Sequence, residues 1–92
     1  MPPSGYKQII YEQHGRVARI VLNRPRYRNA QSRILLEELD HAFGYASEDD
    51  SIGAIVLAGA GDHFSAGHDL GTPEEMADRE ERPIEEGLRG KY

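Results

Sequence analysis

Ile52-Gly53-Ala54-Ile55-Val56-Leu57-Ala58 runs into Gly59-Ala60-Gly61-Asp62-His63 and then Phe64-Ser65-Ala66-Gly67-His68-Asp69-Leu70, and these residues decide how the rest of the chain is read. The first seven are apolar at both parities, the pattern of a strand covered on both faces. The glycine-rich turn after it leaves backbone donors free and lets another molecule approach the main chain closely. Phe64 is expected to anchor the loop from beneath, and Gly67 to keep side-chain bulk away from the approach.

Working outward toward the N-terminus, residues 32 to 47 change period. Leu35, Leu39, Ala42, Phe43 and Ala46 fall on one helical stripe, with Glu37, Glu38, Asp40 and His41 on the opposite side. That predicts an amphipathic helix with its apolar stripe in the core, and Ser32 stands where an N-cap would accept from an unpaired N–H. One such helix covers one face of the strand at 52–58, so the second face is expected to wait for further elements. Before the helix, Tyr6–Glu12 and Arg16–Leu22 flank His14-Gly15 and read as a hairpin. Asn23-Arg24-Pro25 breaks the pattern, because proline donates nothing to a ladder and disfavours helix in the residue before it.

Toward the C-terminus, Thr72-Pro73-Glu74-Glu75 reads as a helix start: cap, proline at the first position, acid at the third. Residues 71–92 are expected to form a charged segment, mobile or partly helical. The glutamates there (Glu74, Glu75, Glu80, Glu81, Glu85, Glu86) lack an apolar setting to raise a pKa.

At 92 residues the chain has room for one small domain. Acids outnumber bases 16 to 11, for a formal charge of -5, which speaks against nucleic acid or an anionic membrane surface. There is no cysteine to build a disulfide or thiolate site,. No apolar run reaches the roughly 20 residues that span a bilayer, and a cytoplasmic location is expected. The spacing of His63, His68 and Asp69 matches no metal site. Gly59-Ala60-Gly61 would place the third glycine of a dinucleotide fingerprint at Phe64, so a plain surface turn is the better bland reading.

Two segments carry a resemblance to a known family. Val21-Leu22-Asn23-Arg24-Pro25, with Asn29-Ala30 shortly after, is similar to the opening strand and turn of the crotonase (enoyl-CoA hydratase/isomerase) superfamily. Gly53–Leu57 leading into Phe64–Leu70 resembles its second signature. The resemblance implies an α/β fold, a crotonase-like spiral of strand-strand-helix units of which only the N-terminal units are present. It makes residues 1–92 the N-terminal portion of such a domain, with its core at 6–70. It also implies coenzyme A thioesters as substrates, no permanently bound cofactor, assembly as trimers or hexamers, and a role in fatty acid metabolism.

By the same resemblance, the His68 backbone N–H donates to the oxyanion of a thioester enolate, a task that does not need its side chain. Coenzyme A contacts are expected from Arg26, Arg28, Ala30, Ala66, Gly67, Asp69 and Leu70. Arg26 and Arg28 lie near the phosphates, and Ala66 and Leu70 offer backbone groups to the adenine end. Asp69 is also expected to hold its own turn. The family's catalytic glutamates and second oxyanion donor match nothing in this sequence, so the chain reads as a piece of a longer enzyme, inactive alone. Hydration of an enoyl-CoA is the leading reaction. Isomerase, dehalogenase, hydrolase and decarboxylase chemistry share the signature, and His68 stands where many hydratases have a small residue. A non-catalytic coenzyme A-binding or assembly homologue, and a small interaction module, are the competing readings.

Overall fold

The computed structural model describes residues 4–83. The expected hairpin is present as β1 (Ile9–His14) and β2 (Val17–Leu22), antiparallel, with Ile9 opposite Leu22 and His14 opposite Val17. Its turn falls at Gly15-Arg16, so β1 extends past Glu12. A short 3-10 turn at Pro25–Tyr27 leads to the helix α1 (Arg33–Glu48). Ser32 caps α1, its hydroxyl accepting from the Leu35 N–H, and it also bonds the Gln8 side chain. The capping role is the one read from the sequence.

The strand β3 (Ala54–Gly59) pairs parallel with β2, from Val17 opposite Ala54 to Leu22 opposite Gly59. The order of the three-stranded sheet is β1-β2-β3, which leaves β3 on an edge. Ile9, Ile20, Leu22, Leu35 and Ala42 form the buried core, with Tyr6, Tyr11, Leu39 and Ile55 packed against it. Val56 and Leu57, on opposite faces of β3, are both substantially exposed. The excess of apolar residues over covering elements, expected from the sequence, is visible there.

Two aromatic expectations fail. Phe43 is 38% exposed, and the residues of α1 that are buried are Leu35, Ala42 and Ala46. Phe64 is 54% exposed rather than buried beneath the loop, which is held by Asn29 hydrogen bonds to the Ala60 and His63 carbonyls.

Thr72 caps the helix α2 (Pro73–Glu81) by accepting from the Glu75 N–H. Of the segment read as charged and partly helical, 73–81 is thus helix, and Glu85 and Glu86 lie outside the described residues. α2 docks through charge. Its buried residues are Glu75 and Asp78, whereas Met76 is half exposed. Asp78 accepts from Arg33 Nε and Arg82 Nε at 2.8 Å, and Arg82 also reaches Glu37. Glu75, grouped with the solvated acids from the sequence, instead accepts from the Arg33 N–H at 3.0 Å. No helix among the described residues is long and apolar enough to cross a membrane.

Gly59 ends β3 where the loop folds back over it. A Cβ there would sit 2.7 Å from the Phe64 carbonyl oxygen and 2.8 Å from that of His63. Gly59→Ala is therefore expected to destabilise by about 1–3 kcal/mol, the usual range for overpacking. A lower urea midpoint at unchanged slope is the result to look for.

Candidate active site

Two segments meet at the C-terminal ends of the parallel strands β2 and β3: residues 23–32, after β2, and residues 59–72, after β3. Asn29 locks them together. It adopts a left-handed conformation (φ 56°), which Asn tolerates better than most residues, and is fully buried,. Its Oδ1 accepts from the Arg24 N–H at 2.8 Å, and its Nδ2 donates to the carbonyls of Ala60 at 2.9 Å and His63 at 2.7 Å. The Ser65 hydroxyl donates to the Asn29 carbonyl and accepts from Gln31 Nε2 and the Gly67 N–H. Beyond this lock the Ala66 N–H donates to the Arg28 carbonyl at 2.9 Å.

Gln31 then pairs with His68 as an isolated parallel bridge. Its N–H donates to the Gly67 carbonyl at 2.7 Å, and its own carbonyl accepts from the Asp69 N–H at 3.0 Å. In an extended chain successive backbone groups point to opposite sides. With Gly67 O and Asp69 N–H turned toward Gln31, the His68 N–H and carbonyl are turned away, and neither bonds any described residue. Gly67, at φ 97°, makes the reversal that a side chain would resist, and a Cβ on it would meet nothing within 4 Å,. The segment thus presents one rigidly flanked, unspent donor beside open space.

Below His68 lies a buried polar cluster. The Asp69 carboxylate accepts from the N–H groups of Gly71 at 2.9 Å and Thr72 at 2.8 Å, the Thr72 hydroxyl at 2.6 Å, and Arg24 Nη1 at 2.8 Å. Burial alone pushes the Asp69 carboxyl upward. The hydrogen bonds from Thr72, Arg24 and Gly71 overcome it and hold the group well below the usual carboxylate range,. This is the turn-holding role read from the sequence. Arg24 also donates to the Ala30 carbonyl at 2.6 Å and the Thr72 hydroxyl at 3.0 Å, and its guanidinium lies over the Tyr27 ring. In the sequence Arg24 is read only as part of the opening motif, with no role for its side chain; the structure buries it at the junction of the two segments.

The other residues singled out divide into two groups. Arg26 and Arg28 are exposed on the same turn, with no ion pair among the described residues; Arg26 stacks on Tyr27, and Arg28 is left-handed at φ 54°. The Ala66 and Leu70 carbonyls accept no hydrogen bond from a described residue, and Leu70 is 92% exposed. Ala30, by contrast, is buried, its N–H donating to Tyr27 and its carbonyl accepting from Ser32 and Arg24.

Comparison with known proteins gives this geometry its context. The family model for enoyl-CoA hydratase/isomerase matches residues 12–89. EchA13 of Mycobacterium tuberculosis is 45% identical over 83 residues, covering 88% of this chain and 26% of that protein. The short-chain-enoyl-CoA hydratase of Clostridium acetobutylicum is 38% identical over 69 residues, covering 74% of this chain and 26% of its own length. Among solved structures, an enoyl-CoA hydratase/isomerase from Xanthobacter autotrophicus superposes with a TM-score of 0.71 at 40% identity, over 87% of this chain and 28% of that one. The chain thus spans about a quarter of the length of the curated relatives it matches. With the match running through both loops that meet at His68, the chain belongs to the enoyl-CoA hydratase/isomerase family and has the fold of the N-terminal part of the crotonase domain.

Proposed function

We propose that these residues are part of a longer acyl-CoA enzyme, in which the His68 N–H stabilises the enolate oxygen that forms when a thioester reacts. The observation that carries this reading is the His68 N–H, which bonds no described residue, is held from both sides by Gln31, and follows a Gly67 on which a Cβ would meet nothing within 4 Å. A donor fixed before the reaction costs no reorganisation as charge develops, which makes such groups effective catalysts. Hydration of a 2-enoyl-CoA is the reaction assigned, in keeping with the hydratases to which the chain is similar. The oxygen of water bonds to C3 as that water gives up a proton, C2 gains a proton, and the negative charge passes through the thioester oxygen in between.

Arg26 and Arg28 would meet coenzyme A phosphates, since both residues are exposed beside the site and form no ion pair among the described residues,. The Ala66 and Leu70 carbonyls, which accept no hydrogen bond from a described residue, are suited to an amino donor such as that of adenine,. The acid and base groups would come from residues beyond this chain, leaving it inactive alone. A trimeric or hexameric assembly in the cytoplasm completes the proposal.

The test is turnover of a short-chain 2-enoyl-CoA by the full-length protein, followed by loss of the conjugated absorbance, together with coenzyme A affinity of Arg26→Glu. Turnover is expected, and the variant should bind coenzyme A about tenfold more weakly, with the deficit shrinking as salt rises. Tight coenzyme A binding without turnover would instead mark a non-catalytic homologue.

A further inference from the structure

We infer that Arg24 is a positioning residue that sets the direction of the His68 N–H without touching the substrate. The inference rests on the oxyanion reading above and deepens it.

The side chain of Arg24 is 2% exposed, and that of Asp69 is fully buried. Both lie inside the protein, so neither is placed to meet a ligand. What Arg24 grips is specific. Nη1 bonds the carbonyl of Ala30, the residue immediately before Gln31, and the carboxylate of Asp69, the residue immediately after His68. Gln31 is the residue whose backbone flanks His68 on both sides. One guanidinium nitrogen therefore fixes the spacing of the two backbone segments that aim the donor.

The second nitrogen braces the first. Nη2 donates to the Thr72 hydroxyl at 3.0 Å and to Glu74 at 3.3 Å. The Thr72 hydroxyl in turn donates to Asp69 and accepts from the Glu75 N–H, so its one proton and both lone pairs are used,. Asp69 cannot rotate without breaking contacts to Arg24, Thr72 and Gly71 together. A planar two-pronged cation is required: a lysine ammonium is a single point and cannot span Ala30, Asp69 and Thr72 at once.

A purely structural Arg24 would change stability and leave the polarisation of a bound carbonyl alone. The experiment uses the full-length protein, an acyl-CoA that cannot react, and a 13C label at its thioester carbonyl. Binding to the parent protein is expected to move the carbonyl signal in the direction of greater polarisation. In Arg24→Lys much of that shift is lost, kcat falls about 10–100-fold, within what a misplacement of about 1 Å can cost, and KM stays within about threefold. Thr72→Val, which deletes the hydroxyl brace, moves both readings the same way by less, and it decides the matter should Arg24→Lys not fold. Variants that melt earlier yet keep the parent's carbonyl shift and kcat would overturn the inference. No shift on binding to the parent would instead remove the oxyanion reading, and the two failures are thereby separate.

Discussion

Proline at position 68 removes one backbone N–H, and in the full-length protein it lowers kcat for enoyl-CoA turnover by about 10²–10³-fold, the usual effect of deleting one oxyanion donor. The size follows from what the donor does. It faces charge that grows only as the reaction proceeds, so its loss weighs on the transition state more than on substrate binding, and KM moves little. The His68 N–H bonds no described residue, so its removal breaks no hydrogen bond among them, and the flanking bonds of Gln31 to Gly67 and Asp69 use other atoms. The proline ring also restricts the backbone at positions 67 and 68, so the melt of the variant is measured alongside its turnover. His68→Ala keeps the N–H and is expected to lose far less. Equal losses in the two variants would move the role from the backbone to the imidazole. A proline variant with a parent-like melt and full turnover would end the assignment.

The second large effect concerns stability. Asp69→Ala removes the buried carboxylate partner of Arg24, whose side chain is 2% exposed, and leaves it the half-exposed Glu74 at 3.3 Å. Breaking one partner from a buried ion pair typically costs about 3–5 kcal/mol. Thr72 loses its acceptor in the same step, and the Gly71 and Thr72 N–H groups lose theirs. Asp69→Asn keeps the shape and removes the charge, so it separates ionisation from packing. The carboxyl pKa is lower folded than unfolded. Its contribution is therefore complete above the unfolded value, near 4, and is lost as pH falls toward the folded one. Asp78, pushed upward by burial but lowered on balance by Arg33 and Arg82, has the same sign. Urea midpoints should accordingly drop as pH is taken from about 6 to about 3, and less steeply for Asp69→Asn than for the parent. Parallel pH curves for the two proteins would mean that the Asp69 charge does not support the fold.

The elements were readable where local rules decide them. Ser32 and the 3.6-residue stripe announced α1, Gly15 marked the hairpin, and Thr72-Pro73 opened α2. Phe43 and Phe64 were misread because apolar character says which residues favour burial, while neighbouring elements decide which are covered. Arg24 was overlooked for the opposite reason. An arginine is usually read as exposed, and its partner Asp69 lies 45 residues away, so no spacing rule connects them. The site itself was half legible. The motif that resembles the family pointed to His68, but the reason its donor is unspent is the parallel pairing of Gln31 with His68, a tertiary fact. Ala30, grouped with the ligand contacts, has both backbone groups committed within the protein.

The parallel pairing of β2 with β3 has a consequence for the order in which the chain acquires its parts. β1 and β2 are joined by a tight turn and can pair as soon as both exist. β3 joins β2 only after all of α1 lies between them, and closing that loop costs entropy before any pairing is gained,. The Gln31 bonds that flank the His68 N–H, and the Asn29 and Arg24 bonds that lock the two segments together, reach across the same gap, from residues 24–31 to residues 59–72. During synthesis, then, the hairpin and helix can be native while the donor still points nowhere in particular. The chemistry of this segment is acquired in the step with the longest reach, after most of its secondary structure is in place.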